Sequence, residues 1–147
     1  MKAIMGFGFF LLFLAGIALV MLQGRQMAQQ NMPAGGASIT GQDWRPVVIG
    51  ASAIPDDSGL FVRFEVDGSI KGNGGCNNFF GALQKTDDGV AIGELGATRM
   101  ACPAAVMDRE RDFIAALRGT TRFETGENSL QLLGAGNRLL AELVAAN

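Results

Sequence analysis

The chain contains no histidine and no tyrosine, and only two of its 147 residues are cysteine. Histidine is the most common general base and the most common metal ligand, so its absence argues against the usual acid–base and metal chemistry. Residues 42–147 carry 10 basic and 14 acidic side chains. A domain with this excess of carboxylates lacks the positive field that attracts nucleic acid. We therefore expect no nucleic-acid partner, no metal and no cofactor.

A charge-free apolar run, residues 3–22, follows Lys2 at the N-terminus. In helical form it would be about 30 Å long, the thickness of the hydrocarbon core of a bilayer. We expect residues 1–22 to be an uncleaved membrane anchor. A cleaved signal peptide is the second interpretation and a buried soluble helix the third. A short basic flank before one apolar span normally leaves the rest of the chain exported, on the oxidising side.

Residues 23–41 are rich in Gln, Met, Ala and Gly and have no apolar periodicity, so we interpret them as a flexible tether. The pattern changes in residues 42–147, the predicted domain. There, short apolar runs alternate with turn sequences about every eight to twelve residues, which predicts an antiparallel sheet or barrel. The predicted strands cover residues 47–49, 60–66, 69–71, 79–83, 90–92, 122–124, 129–133 and 139–144.

A helical period interrupts these strands between Pro103 and Arg118. Its apolar residues recur on one side, and its charged residues lie on the other. Pro103 suits the first position of a helix, and Gly119 suits the position just past its end. The segment predicts one amphipathic helix that covers or plugs the sheet, with Val106, Phe113, Ile114 and Leu117 on its apolar side.

The two cysteines, Cys76 and Cys102, most often form a disulfide in an exported domain. Such a bond would close a loop of about 27 residues and contribute roughly 3.5 kcal/mol on the chain-entropy model. Two buried free thiols are the second interpretation. A redox or metal role has less support, because the spacing is not Cys-x-x-Cys and two thiolates form at most half of a zinc site.

A glycine-rich stretch, residues 72–75, precedes Cys76. It does not match a phosphate-binding loop, because Asn77 stands where the dinucleotide pattern needs a third glycine, and no Gly-Lys-Ser/Thr follows. We interpret the glycines as a sharp bend or bulge in a strand. Asn77 and Asn78 would then tolerate unusual backbone conformations and satisfy the carbonyls of the turn.

Arg99 lies in an apolar neighbourhood close to the second cysteine. We expect it to be a half-buried structural residue, paired with Glu94 or Glu110. The alternative is that Arg99 lines a groove and binds a carboxylate of a partner.

Four other residues have both a structural and a functional interpretation. Trp44 is expected in the core or as a plug of the barrel, rather than as a platform for a ligand. An enzyme would need a pair of carboxylates from Asp67, Asp87 and Asp88. Because the sequences Asp-Gly and Asp-Asp-Gly are typical of turns, we expect no catalytic residues here.

The two cysteine-containing segments resemble the signature of the META domain (HslJ-like) family. They read Gly-Cys-Asn-Asn-Phe-Phe-Gly at 75–81 and Ala-Thr-Arg-Met-Ala-Cys-Pro at 97–103. The resemblance extends from about residue 41 to the C-terminus. Pro46 and Leu83 depart from it, since such domains often have leucine and an aromatic residue there. The matching positions are Gly75, Cys76, Asn77, Asn78, Gly81, Thr98, Arg99, Met100, Cys102 and Glu110.

The resemblance implies a mainly β (α+β) fold, a small antiparallel lipocalin-like β-barrel with one helix, in the bacterial cell envelope. The domain would be periplasmic and anchored to the inner membrane, or secreted to the periplasm if the signal is cleaved. Members have been linked to heat stress, antibiotic tolerance, secretion and virulence, without a settled catalytic activity. We expect a non-enzymatic protein-interaction or stress-response module whose partner is an unidentified envelope protein or a lipid-like ligand.

An alternative function is the transport of small apolar ligands inside the barrel. Phe61, Phe64, Phe79 and Phe80 could face such a ligand. A barrel of eight strands can equally be filled by its own side chains, which we consider the better-supported arrangement.

Overall fold

The computed structural model describes residues 38–146, so the predicted anchor, 1–22, and most of the predicted tether, 23–41, lie outside it. One α-helix, α1, follows seven of the strands in this part of the chain. A short 3-10 helix, Ala135–Asn137, precedes the last strand. The elements are β1 Asp43–Ile49, β2 Ser52–Ala53, β3 Leu60–Phe64, β4 Ser69–Gly74, β5 Asn78–Thr86, β6 Gly89–Ile92, β7 Gly96–Ala97, α1 Ala104–Arg118, β8 Arg122–Thr125, β9 Ser129–Leu133 and β10 Leu139–Ala145.

The strands pair antiparallel in the order β6-β5-β4-β3-β1-β10-β9-β8, with β2 beside β1 and β7 beside β5. The two ends of this order meet where the backbone N–H of Val90 donates to the carbonyl of Thr121 at 2.9 Å. The sheet is therefore a nearly closed barrel, and the predicted antiparallel barrel with one helix is confirmed. The two-residue strands β2 and β7 were not predicted.

Alternation along the strands separates the core from the outer surface. In β3, Leu60, Val62 and Phe64 are buried, whereas Phe61 and Arg63 point outward. The largest buried side chains are at most 2% exposed, so almost none of their surface is open to solvent. They fill the barrel at their positions: Trp44, Phe64, Phe79, Phe113, Leu60, Ile70, Leu117, Leu130, Leu132, Leu143 and Val62.

Contacts with the barrel already occur at Ile39 and Gly41, within the segment that was predicted to be tether. Trp44 is fully buried, as predicted, and its Nε1–H donates to the carbonyl of Ile39 at 2.8 Å. The backbone N–H of Gly41 donates to the carbonyl of Phe64 at 2.9 Å. Ile39 and Gly41 thus bond residues of the domain, although they precede its predicted start at residue 42.

The first and last strands of the domain pair with each other. Trp44 lies opposite Ala145, and the N–H of Ala146 donates to the carbonyl of Asp43 at 2.8 Å. The register shifts between Pro46 and Val48. A proline can stand there because the missing N–H falls where the ladder is interrupted.

Helix α1 packs mainly against β4, with further contacts to β1, β6 and β10. Phe113, Ala116 and Leu117 form its buried face, while Val106 and Ile114 are only partly buried. The ring of Phe113 meets that of Phe79 edge to face at 5.9 Å. Residues 38–146 contain no helix that is both long and apolar enough to cross a bilayer.

Candidate functional site

The signature residues meet where α1 approaches the loop between β4 and β5. Four of them, Asn77, Thr98, Met100 and Glu110, form a hydrogen-bonded group that we call the Asn77 cluster. Asn77 is its centre and is only 3% exposed. Burying a primary amide is costly unless its donors and acceptors are paired, so the partners of this side chain decide what the cluster does.

The Asn77 amide bonds through both of its polar atoms. Its Oδ1 accepts from the Thr98 hydroxyl at 2.9 Å and from the backbone N–H of Met100 at 2.7 Å. Its Nδ2 donates to Glu110 Oε1 at 2.8 Å and, more weakly, to the carbonyl of Met100 at 3.4 Å. The amide therefore joins three chain segments and has its full set of partners.

Glu110 brings the helix into this cluster. Its Oε2 accepts from the backbone N–H of Asn77 at 2.6 Å, so the carboxylate bonds the same residue twice. The close approach depends on Gly74, where a Cβ would lie 2.4 Å from Glu110 Cγ and 2.6 Å from Oε2. The sequence suggested that Gly74 permits a bend. Its role in admitting a carboxylate was missed, because nothing in the sequence pairs this glycine with Glu110.

The predicted disulfide between Cys76 and Cys102 is present, with an S–S distance of 2.09 Å and a Cα–Cα distance of 6.1 Å. Cys76 is 5% exposed. The bond joins the β4–β5 loop to the residue before Pro103, which caps α1. It therefore fastens the same two parts of the chain as the bonds of Glu110.

The remaining signature residues also have structural contacts. Gly75 has a positive φ of 96°, which favours glycine, and its N–H donates to Asn73 Oδ1 at 2.6 Å. The N–H of Asn78 donates to the Thr98 hydroxyl at 3.2 Å. At Gly81, a Cβ would lie 2.4 Å from a methyl group of Leu95.

Arg99 does not occupy the half-buried, paired position that was expected. It is exposed, and among residues 38–146 it forms no ion pair within 4.0 Å. Both expected partners bond elsewhere: Glu94 pairs with Arg118 at 2.8 Å, and Glu110 bonds Asn77. Its two neighbours, Thr98 and Met100, bond Asn77, whereas Arg99 is exposed to solvent.

The four phenylalanines proposed to face a ligand do not line one space. Phe64 and Phe79 are buried in the core, where Phe64 packs edge to face on Phe123 at 5.2 Å. Phe61 is partly exposed, and Phe80 is 62% exposed on the outer surface. Neighbouring residues of a strand point to opposite faces, so Phe79 and Phe80 could not both face the interior. The interpretation of the four as one interior lining was wrong.

A groove of about 490 Å³ lies on the outside of the sheet, across β1, β3, β4 and β5. We call it the outer groove. Arg63 donates to Asp43 at 2.6 Å, and this hydrogen bond, followed by the charge of Asp43, raises the pKa of the Arg63 guanidinium. The residues that line the outer groove are Asp43, Phe61, Arg63, Lys71, Gly72, Asn78, Phe79 and Phe80.

The three aspartates weighed as a catalytic pair lie in turns. Asp67 is in the β3–β4 turn. Its Oδ1 accepts from the hydroxyl of Ser69 at 2.7 Å and from the backbone N–H of Ser69 at 2.8 Å. These bonds lower the pKa of Asp67. Asp87 and Asp88 are exposed in the separate β5–β6 turn. The described residues contain no group of three or more Cys, Asp and Glu placed to hold a metal ion.

The fold and the Asn77 cluster define a class of protein: small antiparallel β-barrels whose helix is fastened to a glycine loop by a disulfide and a buried asparagine. The chain belongs to the META domain family, whose model matches residues 37–146. No curated protein matches the chain.

Two similar solved structures share this fold. A protein from Burkholderia xenovorans, solved by NMR, is 22% identical with a TM-score of 0.56, over 74% of this chain and 84% of that one. A DUF4847 family protein from Bacteroides vulgatus, a crystal structure, is 18% identical with a TM-score of 0.51, over 72% of this chain and 93% of that one.

Proposed function

We propose that this META-domain protein is a non-enzymatic module of the bacterial envelope. Its N-terminal segment holds it at the inner membrane, and its periplasmic domain binds another envelope protein, in an interaction or stress-response role. The observation that carries the proposal is the bonding of Asn77. Both polar atoms of the Asn77 amide bond within the chain, to the side-chain oxygens of Thr98 and Glu110. The signature residues therefore hold the helix and the loop together.

The disulfide supports the envelope location. Disulfides persist in oxidising compartments and are rare in the reducing cytosol. The Cys76–Cys102 bond lies at the junction of loop and helix, where its loss would loosen both. The uncharged apolar run at residues 3–22 also supports export of the domain to an oxidising compartment.

The outer surface supports protein binding rather than chemistry. Phe80 and Met100 are 62% and 55% exposed, close to the junction of loop and helix. Aromatic residues and methionine are enriched at protein interfaces relative to the rest of protein surfaces. The ligand-carrier function has less support, because Phe64 and Phe79 are packed among core side chains.

Two measurements on the full chain in living bacteria test the proposal. A phosphatase that is active only after export, fused to residue 147, is expected to be active. Reversible crosslinking followed by affinity capture and quantitative mass spectrometry is expected to enrich specific envelope proteins. The control is residues 1–41 fused to an unrelated periplasmic domain. An inactive phosphatase, or the same captured proteins from chain and control, would contradict the proposal.

A further inference from the structure

Two cations lie directly opposite each other at the centre of the outer groove. In the pairing of β3 with β4, Arg63 faces Lys71. Both side chains point outward, with 33% and 58% of their surface exposed. Like charges on opposite positions of neighbouring strands destabilise a sheet unless opposite charges lie nearby. It also stands on a domain whose net charge is −4, from 10 basic and 14 acidic residues.

Each cation is paired with one carboxylate, and Glu65, the partner of Lys71, is only two residues from Arg63. Arg63 Nε lies 2.6 Å from Asp43 Oδ1, and Lys71 Nζ lies 2.6 Å from Glu65 Oε1. Partly exposed ion pairs of this kind contribute little to stability, about 0 to 1 kcal/mol, and can exchange partners. A guanidinium has five N–H donors and an ammonium three, so both cations can bond a further acceptor from outside.

An apolar surface lies beside Lys71, on the side away from Arg63. Phe80 lies opposite Lys71 on β5 and is 62% exposed. Its ring lies over Gly96, where a Cβ would be only 2.7 Å from the ring carbon Cε2. The glycine thus allows the ring to lie against the sheet, where it forms a flat apolar surface beside the two cations.

We propose that the outer groove binds an extended acidic segment of a partner protein. A carboxylate of the segment lies between Arg63 and Lys71, and a neighbouring aliphatic or aromatic side chain packs on Phe80. This inference rests on the proposed interaction function and adds the binding face and the chemistry of the partner. A membrane surface fits less well, since stable binding to anionic lipids uses clusters of about four to eight cations. The net charge of −4 would also be repelled by such a surface.

The test uses the full chain, labelled with 15N in micelles of an uncharged detergent. The probe is a blocked ten-residue peptide in which glutamate alternates with leucine, and the reference peptide has glutamine in place of glutamate. Amide shifts of Arg63, Lys71 and Phe80 are expected to change with the glutamate peptide, and less with the glutamine peptide. Raising the salt from 50 to 500 mM should reduce the effect, since ions screen exposed charges.

Two substitutions test the two halves of the site. Lys71→Gln should weaken binding about 2- to 5-fold, the value of one exposed ion pair. Phe80→Ser should weaken it about 3- to 10-fold through loss of the aromatic contact. The matched controls are Lys85→Gln, an exposed cation elsewhere on β5, and Val66→Ser, an apolar side chain that is 88% exposed. Neither control should change binding.

Several outcomes would overturn the inference. They are equal shifts with both peptides, no shifts at these amides at 5 mM peptide, equal losses in the controls, or Lys71-dependent binding to vesicles with anionic lipid but not to the peptide. Failure of the proposed function is a separate result. If cells yield no specific partner while the peptide binds as described, the site stands and the interaction role fails.

Discussion

Asn77 and Glu110 bond each other twice across the junction between the β4–β5 loop and helix α1. The backbone N–H of Asn77 donates to Glu110 Oε2 at 2.6 Å, and its Nδ2 donates to Oε1 at 2.8 Å. Hydrogen bonds to a charged acceptor are among the stronger ones in proteins. This pair therefore fixes the position of the helix on the barrel. Replacing one carboxylate oxygen of Glu110 by an NH2 group tests this role.

Glu110→Gln is expected to destabilise the domain by about 1 to 3 kcal/mol. The new NH2 group faces a donor of Asn77, so one buried donor loses its acceptor. Urea unfolding of the full chain measures the loss. The control is Glu127→Gln, an exposed residue of the β8–β9 turn. Equal stability of the two variants would show that Asn77 does not depend on the carboxylate.

Replacing Cys76 and Cys102 together by serine is expected to cost about 2 to 4 kcal/mol, because the disulfide no longer restricts the unfolded chain. Unfolding of the double variant is compared with that of the oxidised wild type. Thiol labelling of the unreduced wild type should modify neither cysteine. Free labelling of both positions, or unchanged stability of the variant, would contradict the role given to this bond.

Gly74→Ala should displace Glu110 from Asn77, since the added Cβ would lie 2.4 Å from Glu110 Cγ. The expected cost is about 1 to 3 kcal/mol, typical of overpacking at a tight contact. Gly93→Ala is the matched control, because its Cβ meets the nearest atom only at 4.0 Å, an ordinary distance. Thermal unfolding of both variants checks the prediction, and similar melting temperatures would contradict it.

The pKa of Asp67 should rise toward its usual value in Ser69→Ala. The serine hydroxyl is the main cause of the lowered pKa, followed by the Ser69 backbone N–H. A carboxylate with a lowered pKa stabilises the folded state above its unfolded pKa, and the contribution is lost as the pH falls through the folded pKa. NMR titration of the carboxyl carbon measures the shift. Ser52→Ala, in exposed β2, should leave the midpoint of Asp67 unchanged.

Local patterns in the sequence predicted most of the fold. Turn sequences such as Asp67-Gly68 and the helical period before Gly119 act within a few residues, so they marked elements close to their observed bounds. The disulfide followed from a cysteine count. The strands β2 and β7 escaped prediction because two residues are too few for a period, and their pairing depends on β1 and β5.

The candidate site was only partly predictable. The signature drew attention to Asn77 and Glu110, but their contact joins positions 33 residues apart. Arg99 was expected in an ion pair, but its expected partners, Glu94 and Glu110, bond residues that are distant in the sequence. The outer groove was missed because Arg63 and Lys71 become neighbours only through the register of β3 and β4.

The pairing of β1 with β10 makes the domain suitable for circular permutation. Because Trp44 lies opposite Ala145 and bonds Ile39, a short flexible linker would be enough to connect position 146 to position 39. New ends could then be placed in the exposed turn at residues 87–89, which would keep the strand pairs on both sides.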